Sequence, residues 1–393
     1  MVSPVGKIAE PARIHIGEFE GLRGILAAWV IFGHILLFSG FTYQDGWFGI
    51  LFSPVLGVYS FMMLSGFVIT AAIDQRPTSW TGFMTRRFFR LFPVYALCVG
   101  LAILMMGVSL HISQSPTLST FGPENMERLE NVQQNFGLYL LADATLLQCL
   151  LPRTWYPAAQ ESFLVPTWSL TIEWLFYMVA PFIVLLIRRS KSLAIGTVFA
   201  GLVAIWIFEP FLTSINHSFH LGNAFHFLTG IGSFYLWKHL PDCRRGWFGK
   251  IVFWSLVLAG GACLNLPYKI WIATMAIILY SRVHLKSQFF LEWPRKILLS
   301  RPLQFMGRTS YAAYLLHWII IEIVLFWIIQ FAPGFDNKYL LTTSCVLAVY
   351  PMTYVASAII HRHVERPLIQ FPAWWGQGSI RNRMMLARNE NAI

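Results

Sequence analysis

Charge is what this chain has least of. Only 12% of its 393 residues are Asp, Glu, Lys or Arg, roughly half the share found in soluble domains, while 56% are hydrophobic. That balance excludes a soluble globular domain and describes an integral membrane protein. Cysteine is scarce too: Cys98, Cys149, Cys243, Cys263 and Cys345 are odd in number and scattered, with no CxxC pair. That spacing indicates neither a disulfide framework nor a zinc site. No small-residue cleavage site follows the first apolar run, so that run is a retained helix and not a signal peptide. Acidic residues are outnumbered 18 to 29, for a net charge of +11. In a soluble protein this would suggest nucleic acid; here it is loop bias, and no nucleic-acid partner is expected.

What is present is a series of apolar runs long enough to span a bilayer. They lie near 24–41, 47–72, 91–109, 167–187, 193–212, 221–237, 250–266, 270–284, 305–329 and 339–361. An all-α protein of about ten transmembrane helices is expected, with both termini on one side. With the N-terminus inside, 25 of the 29 Lys and Arg fall on the inner side, so the positive-inside rule makes both termini cytoplasmic. One long outer segment, 110–166, breaks the economy of short loops, and a loop that long is functional or disordered. Within it Asn135–Leu151 is apolar enough to meet the membrane, but Asp143 argues against a full span. Residues 1–368 read as a single membrane domain. The tail 369–393, with Trp374, Trp375, Arg381, Arg383 and Arg388, suits an interfacial anchor.

The chemistry-bearing residues are the ionisable groups inside these runs, because such groups are expensive in lipid and mark function by default. Gly21-Leu22-Arg23-Gly24 opens a helix that reaches His34 eleven residues on, about three turns and roughly 16 Å along one face. Arg86, Arg87 and Arg90 precede Phe92-Pro93, and an arginine fork suits phosphate through bidentate, charge-assisted hydrogen bonds. Ser65, in Tyr59–Phe67, lets a neighbouring helix or ligand approach closely. Glu173 follows Trp168-Ser169-Leu170 and is expected to pair with a buried imidazole or bind an acceptor's hydroxyls. Ser310, Tyr311, Tyr314 and His317 form one polar stripe beyond Arg308, with Glu322 further along. Two histidines at similar depth, each with an arginine at the mouth of its helix, imply one shared cavity. His217, His220 and His226 lack a carboxylate partner in sequence, so no metal site is expected.

Taken together, Arg23 with His34 after Glu20, the Phe61–Phe67 run, Arg87-x-x-Arg90, Trp168-Ser169-Leu170 with Glu173 and Tyr177, Ser310-Tyr311 with Tyr314 and His317, and Glu365-Arg366-Pro367 resemble membrane acyltransferase family 3. These integral-membrane O-acyltransferases modify bacterial surface carbohydrates, and the resemblance runs from about residue 18 to 368. It implies an acyl-CoA donor, commonly acetyl-CoA, on the cytoplasmic face of the bacterial inner membrane. It implies an acceptor hydroxyl on a glycan, a lipid-linked sugar or a glycosylated small molecule. His34 and Arg23 would be central to transfer, with Arg87 and Arg90 near the donor. The residues agree with this: a neutral imidazole can take the proton of an attacking hydroxyl. On this reading His34 is the general base, Arg23 positions donor or oxyanion, and Glu173 and His317 orient the acceptor. Arg86, Arg87, Arg90, Ser65 and Arg308 then hold the donor, and Trp168, Ser310, Tyr311 and Tyr314 line the acceptor site. Direct transfer and an acyl-histidine intermediate both remain open. The competing class is a transporter of a polar solute, against which stands the absence of an internal repeat.

Overall fold

The computed structural model describes residues 16–42, 46–75, 78–115, 118, 121–215, 221–239, 265–283, 289–332 and 337–371, and every regular element among them is helical. Helices α1 (Gly17–Phe38), α2 (Gly46–Leu51), α3 (Pro54–Gln75) and α4 (Trp80–Leu104) lead into α5 (Met106–Ser113), α6 (Gly122–Gln134) and α7 (Phe136–Ala144). After three short 3-10 turns come α8 (Trp168–Arg189), α9 (Lys191–Ile215), α10 (Leu221–His239) and α11 (Leu266–Val283). Next are α12 (Phe289–Leu298), α13 (Arg301–Arg308), α14 (Ser310–Phe331) and α15 (Lys338–Ile360), the last passing into a π-helical turn, His361–Glu365.

Seven of the described helices, α1, α3, α4, α8, α9, α14 and α15, contain stretches long and apolar enough to cross a membrane. Among the described residues the expected count of ten is therefore not confirmed. Helix α10 occupies the expected 221–237 span, but Asn223, His226, Ser233, Lys238 and His239 dilute its apolar surface. Helix α11 has only the shorter apolar stretch Leu266–Leu279. Most of the 250–266 span, the 372–393 tail, His217 and His220 lie outside the described residues.

Two boundaries differ from expectation in ways that matter for the site. Helix α4 begins at Trp80, not near 91, because Ser79 caps it: its hydroxyl accepts from the Gly82 amide at 3.2 Å. Serine is a strong N-cap and arginine a good helix former, so Arg86, Arg87 and Arg90 sit within the helix and not in a loop. The 110–166 segment is not an open loop either. Its Ile112, Val132, Tyr139, Phe163 and Leu164 are buried in the main core, making a folded cap over one end of the bundle. Asp143 is 1% exposed there and accepts from the Tyr95 hydroxyl at 2.8 Å and from the Ser162 hydroxyl. Burial pushes its carboxyl up to about 6.

Helix α1 packs on α3, α13, α14 and α15 and is the spine of the assembly. Helices α3 and α10 cross at Gly66 and Gly230, where an added Cβ would lie 2.3 Å from the Phe227 carbonyl oxygen and 2.0 Å from that of Met63. Such backbone contact requires glycine and is a common way for membrane helices to associate. Further along α3, Asp74 pairs with Arg188 of α8 at 3.3 Å and Lys238 of α10 at 2.8 Å. These contacts hold Ser65 in place beside α8.

Candidate active site

Helices α1 and α14 bring two imidazoles together. His34 is 8% and His317 0% exposed, and His317 Nε2 lies 3.0 Å from His34 Nδ1. His34 Nδ1 is also 3.0 Å from the Val30 carbonyl oxygen, and His317 Nδ1 is 3.3 Å from that of Ala313. A carbonyl only accepts, so in the neutral rings each Nδ1 carries the proton. His317 Nε2 therefore accepts from His34 Nδ1–H, and His34 Nε2 is left as a bare lone pair with no hydrogen bond to the described residues. This is the arrangement a general base needs: one nitrogen anchored, the other open.

Packing fixes the plane of that ring. The His34 centroid is 4.9 Å from His317 and 5.4 Å from Trp318, the latter edge-on at 79°. Trp318 in turn lies 4.8 Å from Phe38 and 5.7 Å from Phe121 of the cap. His34 is thus four residues from the end of α1, directly under the cap, and not at the middle of its helix.

The arginines form a second cluster. Arg23 lies roughly 16 Å down the helix from His34 at the usual rise, and helix side chains lean toward the N-terminus. Its guanidinium therefore does not reach the imidazole. It donates to Glu20 at 2.7 Å, within electrostatic range of Glu173, Tyr177 and Arg90. Glu173 accepts from the Ser65 hydroxyl at 2.7 Å and from the Tyr177 hydroxyl. Arg87 lies over the rings of Phe83 at 5.2 Å and Tyr177 at 5.6 Å, and its buried Nε has no hydrogen-bond partner. Three guanidiniums, Arg23, Arg87 and Arg90, face two carboxylates, Glu20 and Glu173. The surplus is positive, and an orphaned buried donor within it suits an anion.

The other expected residues fall into three groups. Arg86 is exposed and donates to the Thr78 hydroxyl at 2.6 Å, while Arg308 is exposed at the last position of α13. Trp168 is half-buried at the start of α8, and Ser310 is buried at the start of α14. Tyr311 and Tyr314 spend their hydroxyls on neighbouring backbone: Tyr311 donates to Leu91 at 2.7 Å and Tyr314 to Pro166 at 2.8 Å. Tyr314 also shares a 2.8 Å hydrogen bond with Ser169. Glu173 does not meet a histidine among the described residues; it stands with the arginines. His226 is stacked between Tyr59 and Tyr268, at 4.4 and 5.3 Å.

Sequence reasoning gave no site role to Tyr177, Glu20 or Trp318. Tyr177 follows Glu173 by one turn, and Glu20 precedes Arg23 by three residues, so both had a helical-spacing signal. Trp318 had none, since a residue next to His317 points away from it on the helix; it meets His34 only because α1 passes between them.

Comparison with known proteins bears on what this site does. The sequence model of an acyltransferase domain matches residues 16–362. Acyltransferase MdmB of Streptomyces mycarofaciens is 29% identical over 207 residues, covering 52% of this chain and 48% of that protein. The match thus spans about half the length of that relative. Nodulation protein 10 of Rhizobium leguminosarum bv. viciae is 26% identical over 266 residues, covering 64% of this chain and 67% of that protein. No solved structure matches.

Proposed function

This chain belongs to membrane acyltransferase family 3, and on that premise we propose that it moves an acyl group, acetyl by preference, from acyl-CoA to a hydroxyl of a carbohydrate-type acceptor. The observation that carries the reading is the histidine pair: an imidazole whose Nδ1 is anchored and whose Nε2 is open.

In the proposed step, His34 Nε2 takes the proton of the acceptor hydroxyl as its oxygen attacks the thioester carbonyl. The tetrahedral centre collapses, the carbon–sulfur bond breaks, and the imidazolium returns the proton to the departing sulfur. An ester and free CoA result. Arg87 and Arg90, with Arg23, hold the phosphates of CoA, and Glu173 with Ser65 and Tyr177 keeps the arginine cluster in order. The distance between that cluster and His34 is then filled by the pantetheine arm. Donor entry at the arginine end corresponds to the cytoplasmic side of the inner membrane, with both termini there, and acceptor entry is at the cap. The acceptor is a glycan, a lipid-linked sugar or a glycosylated small molecule. The carrier alternative has no observation to set beside the open imidazole.

The test is free-CoA release from acetyl-CoA by the detergent-purified protein, with a crude glycan or lipid-linked sugar extract as acceptor. Release that needs the extract and disappears in His34→Ala supports the reading. A folded wild type that neither binds acetyl-CoA nor releases CoA refutes it.

A further inference from the structure

Glu322 takes no part in the acyl transfer just described, yet it is 4% exposed within an apolar helix, a costly place for a carboxyl. It ends a chain of hydrogen bonds in which every donor and acceptor is determined. In the cap, Arg128 donates to the Asn125 side-chain carbonyl from Nε at 3.0 Å and Nη2 at 2.6 Å. The same guanidinium holds the backbone carbonyls of Glu161, at 2.9 Å, and Ser162. With its oxygen occupied, Asn125 turns its amide nitrogen to the hydroxyls of Ser109, at 3.2 Å, and Ser113, at 2.6 Å. Ser109 then donates to Glu322 Oε1 at 2.8 Å, and the same oxygen accepts from the Trp318 indole N–H at 3.0 Å. Trp318 is the ring whose plane meets His34 edge-on.

We infer that Glu322 is a positioning residue: by holding Trp318 against His34 it makes the alignment of the base depend on how the cap is seated. Donors run from Arg128 through Asn125 and Ser109 to Glu322, and Trp318 donates to the same Glu322 oxygen from the other side, so a cap that shifts leaves Glu322 with one donor fewer and Trp318 with a looser anchor. An acceptor that settles the cap would thereby align the imidazole that must act on it. The inference rests on His34 being the base, and its physical warrant is a continuous set of contacts linking two places, not distance or covariation.

The test compares the full-length wild type with Glu322→Gln, Glu322→Leu and Asn125→Leu in nanodiscs, by two readouts. The first is acetyl-CoA-dependent CoA release with the crude glycan extract. The second is carbethoxylation of His34 by diethyl pyrocarbonate, followed by peptide mass spectrometry. Glu322→Gln keeps an acceptor oxygen for both donors and should stay within about threefold of wild type, whereas Glu322→Leu should lower kcat by about tenfold or more with the acetyl-CoA KM unchanged to about twofold, the scale expected for misplacing a reacting group. Asn125→Leu, in the cap, should move kcat the same way by less, and it keeps the test open if Glu322→Leu does not fold. His34 should react faster with the reagent in the two leucine variants and not in Glu322→Gln. Unchanged kcat and labelling in Glu322→Leu and Asn125→Leu would overturn the inference. So would a KM rising in step with the loss of kcat, or a glutamine variant as damaged as the leucine one. If the wild type itself shows no turnover, the acyl-transfer reading fails, and the labelling alone decides whether Glu322 positions His34.

Discussion

On the proposal that His34 is the base, replacing His317 separates the chemistry of that base from its placement. In His317→Ala, His34 Nδ1–H keeps the Val30 carbonyl at 3.0 Å and so keeps its tautomer, but it loses the hydrogen bond to His317 Nε2 and the ring packed 4.9 Å away. The base survives and its aim does not. Misplacement of a reacting group by about 1 Å costs on the order of a hundredfold, so kcat should fall about ten- to a hundredfold with the acetyl-CoA KM little changed. His34→Ala removes the proton acceptor itself and should cost about 10²–10⁴ in kcat. His317→Gln offers a carbonyl oxygen to the same N–H and should recover part of the loss. The double alanine variant should be no worse than His34→Ala, since groups that act as one unit are not additive. Steady-state CoA release at saturating acetyl-CoA, with varied acceptor extract, measures all four. A wild-type kcat in His317→Ala would refute this account. A raised acceptor KM with kcat intact would instead make His317 a ligand of the acceptor.

Four other substitutions follow from the geometry. Arg87→Lys keeps the charge but loses the planar fork between Phe83 and Tyr177, so the acetyl-CoA KM should rise by about tenfold while kcat at saturation holds; equal KM values would remove Arg87 from the donor site. Gly66→Ala places a Cβ 2.3 Å from backbone that cannot yield and should destabilise by about 1–3 kcal/mol, while Gly100→Ala, with nothing within 4 Å, should be neutral or gain up to about 1 kcal/mol; thermal unfolding in one detergent compares them. Asp143, whose carboxyl burial raises from 3.8 to about 6, binds its proton more tightly in the folded cap than in the unfolded chain, so the cap should be most stable below about pH 4 and lose up to about 3 kcal/mol as pH rises through 6. Hydrogen-exchange protection of residues 122–144 should therefore increase from pH 7 to 5, and Asp143→Asn should flatten that slope; protection that falls on acidification contradicts it.

The sequence made the helical class plain, because lipid demands long apolar runs and those are visible one residue at a time. It was less clear where a helix faces protein. Helix α4 carries three arginines in its first turns, so hydropathy alone began it eleven residues late, and α10, which carries Asn223 and His226 inward, is less apolar than the seven clear spans. The site shows the same division. Arg23 and His34 are linked by helical spacing within one run, and the depth of His317 was readable from its own helix. The partners of Glu173 were not, since Ser65 is 108 residues away and nothing local tells a carboxylate which helix will cross it. Tyr311 and Tyr314 carried the signature of a polar stripe, yet their hydroxyls meet backbone carbonyls, because a buried phenol takes the nearest acceptor whatever the stripe suggests. The cap was hidden for a related reason: its core residues are interleaved with prolines and glutamates that read as loop.

The arginine and the histidine of α1 stand on one continuous helix, and a helix does not stretch. On the acyl-CoA reading proposed above, the eleven-residue offset between them is a gauge that sets how far a thioester carbonyl must lie from the phosphates that anchor its carrier. A donor of the right length arrives in register whatever its acyl group, and one that is too long or too short is held with its carbonyl out of place. A truncated donor such as S-acetyl-N-acetylcysteamine carries the reactive end without the anchor, so it escapes the gauge altogether. For that compound wild type and Arg87→Lys become the same enzyme, slow in both and limited only by how often a loose carbonyl finds His34.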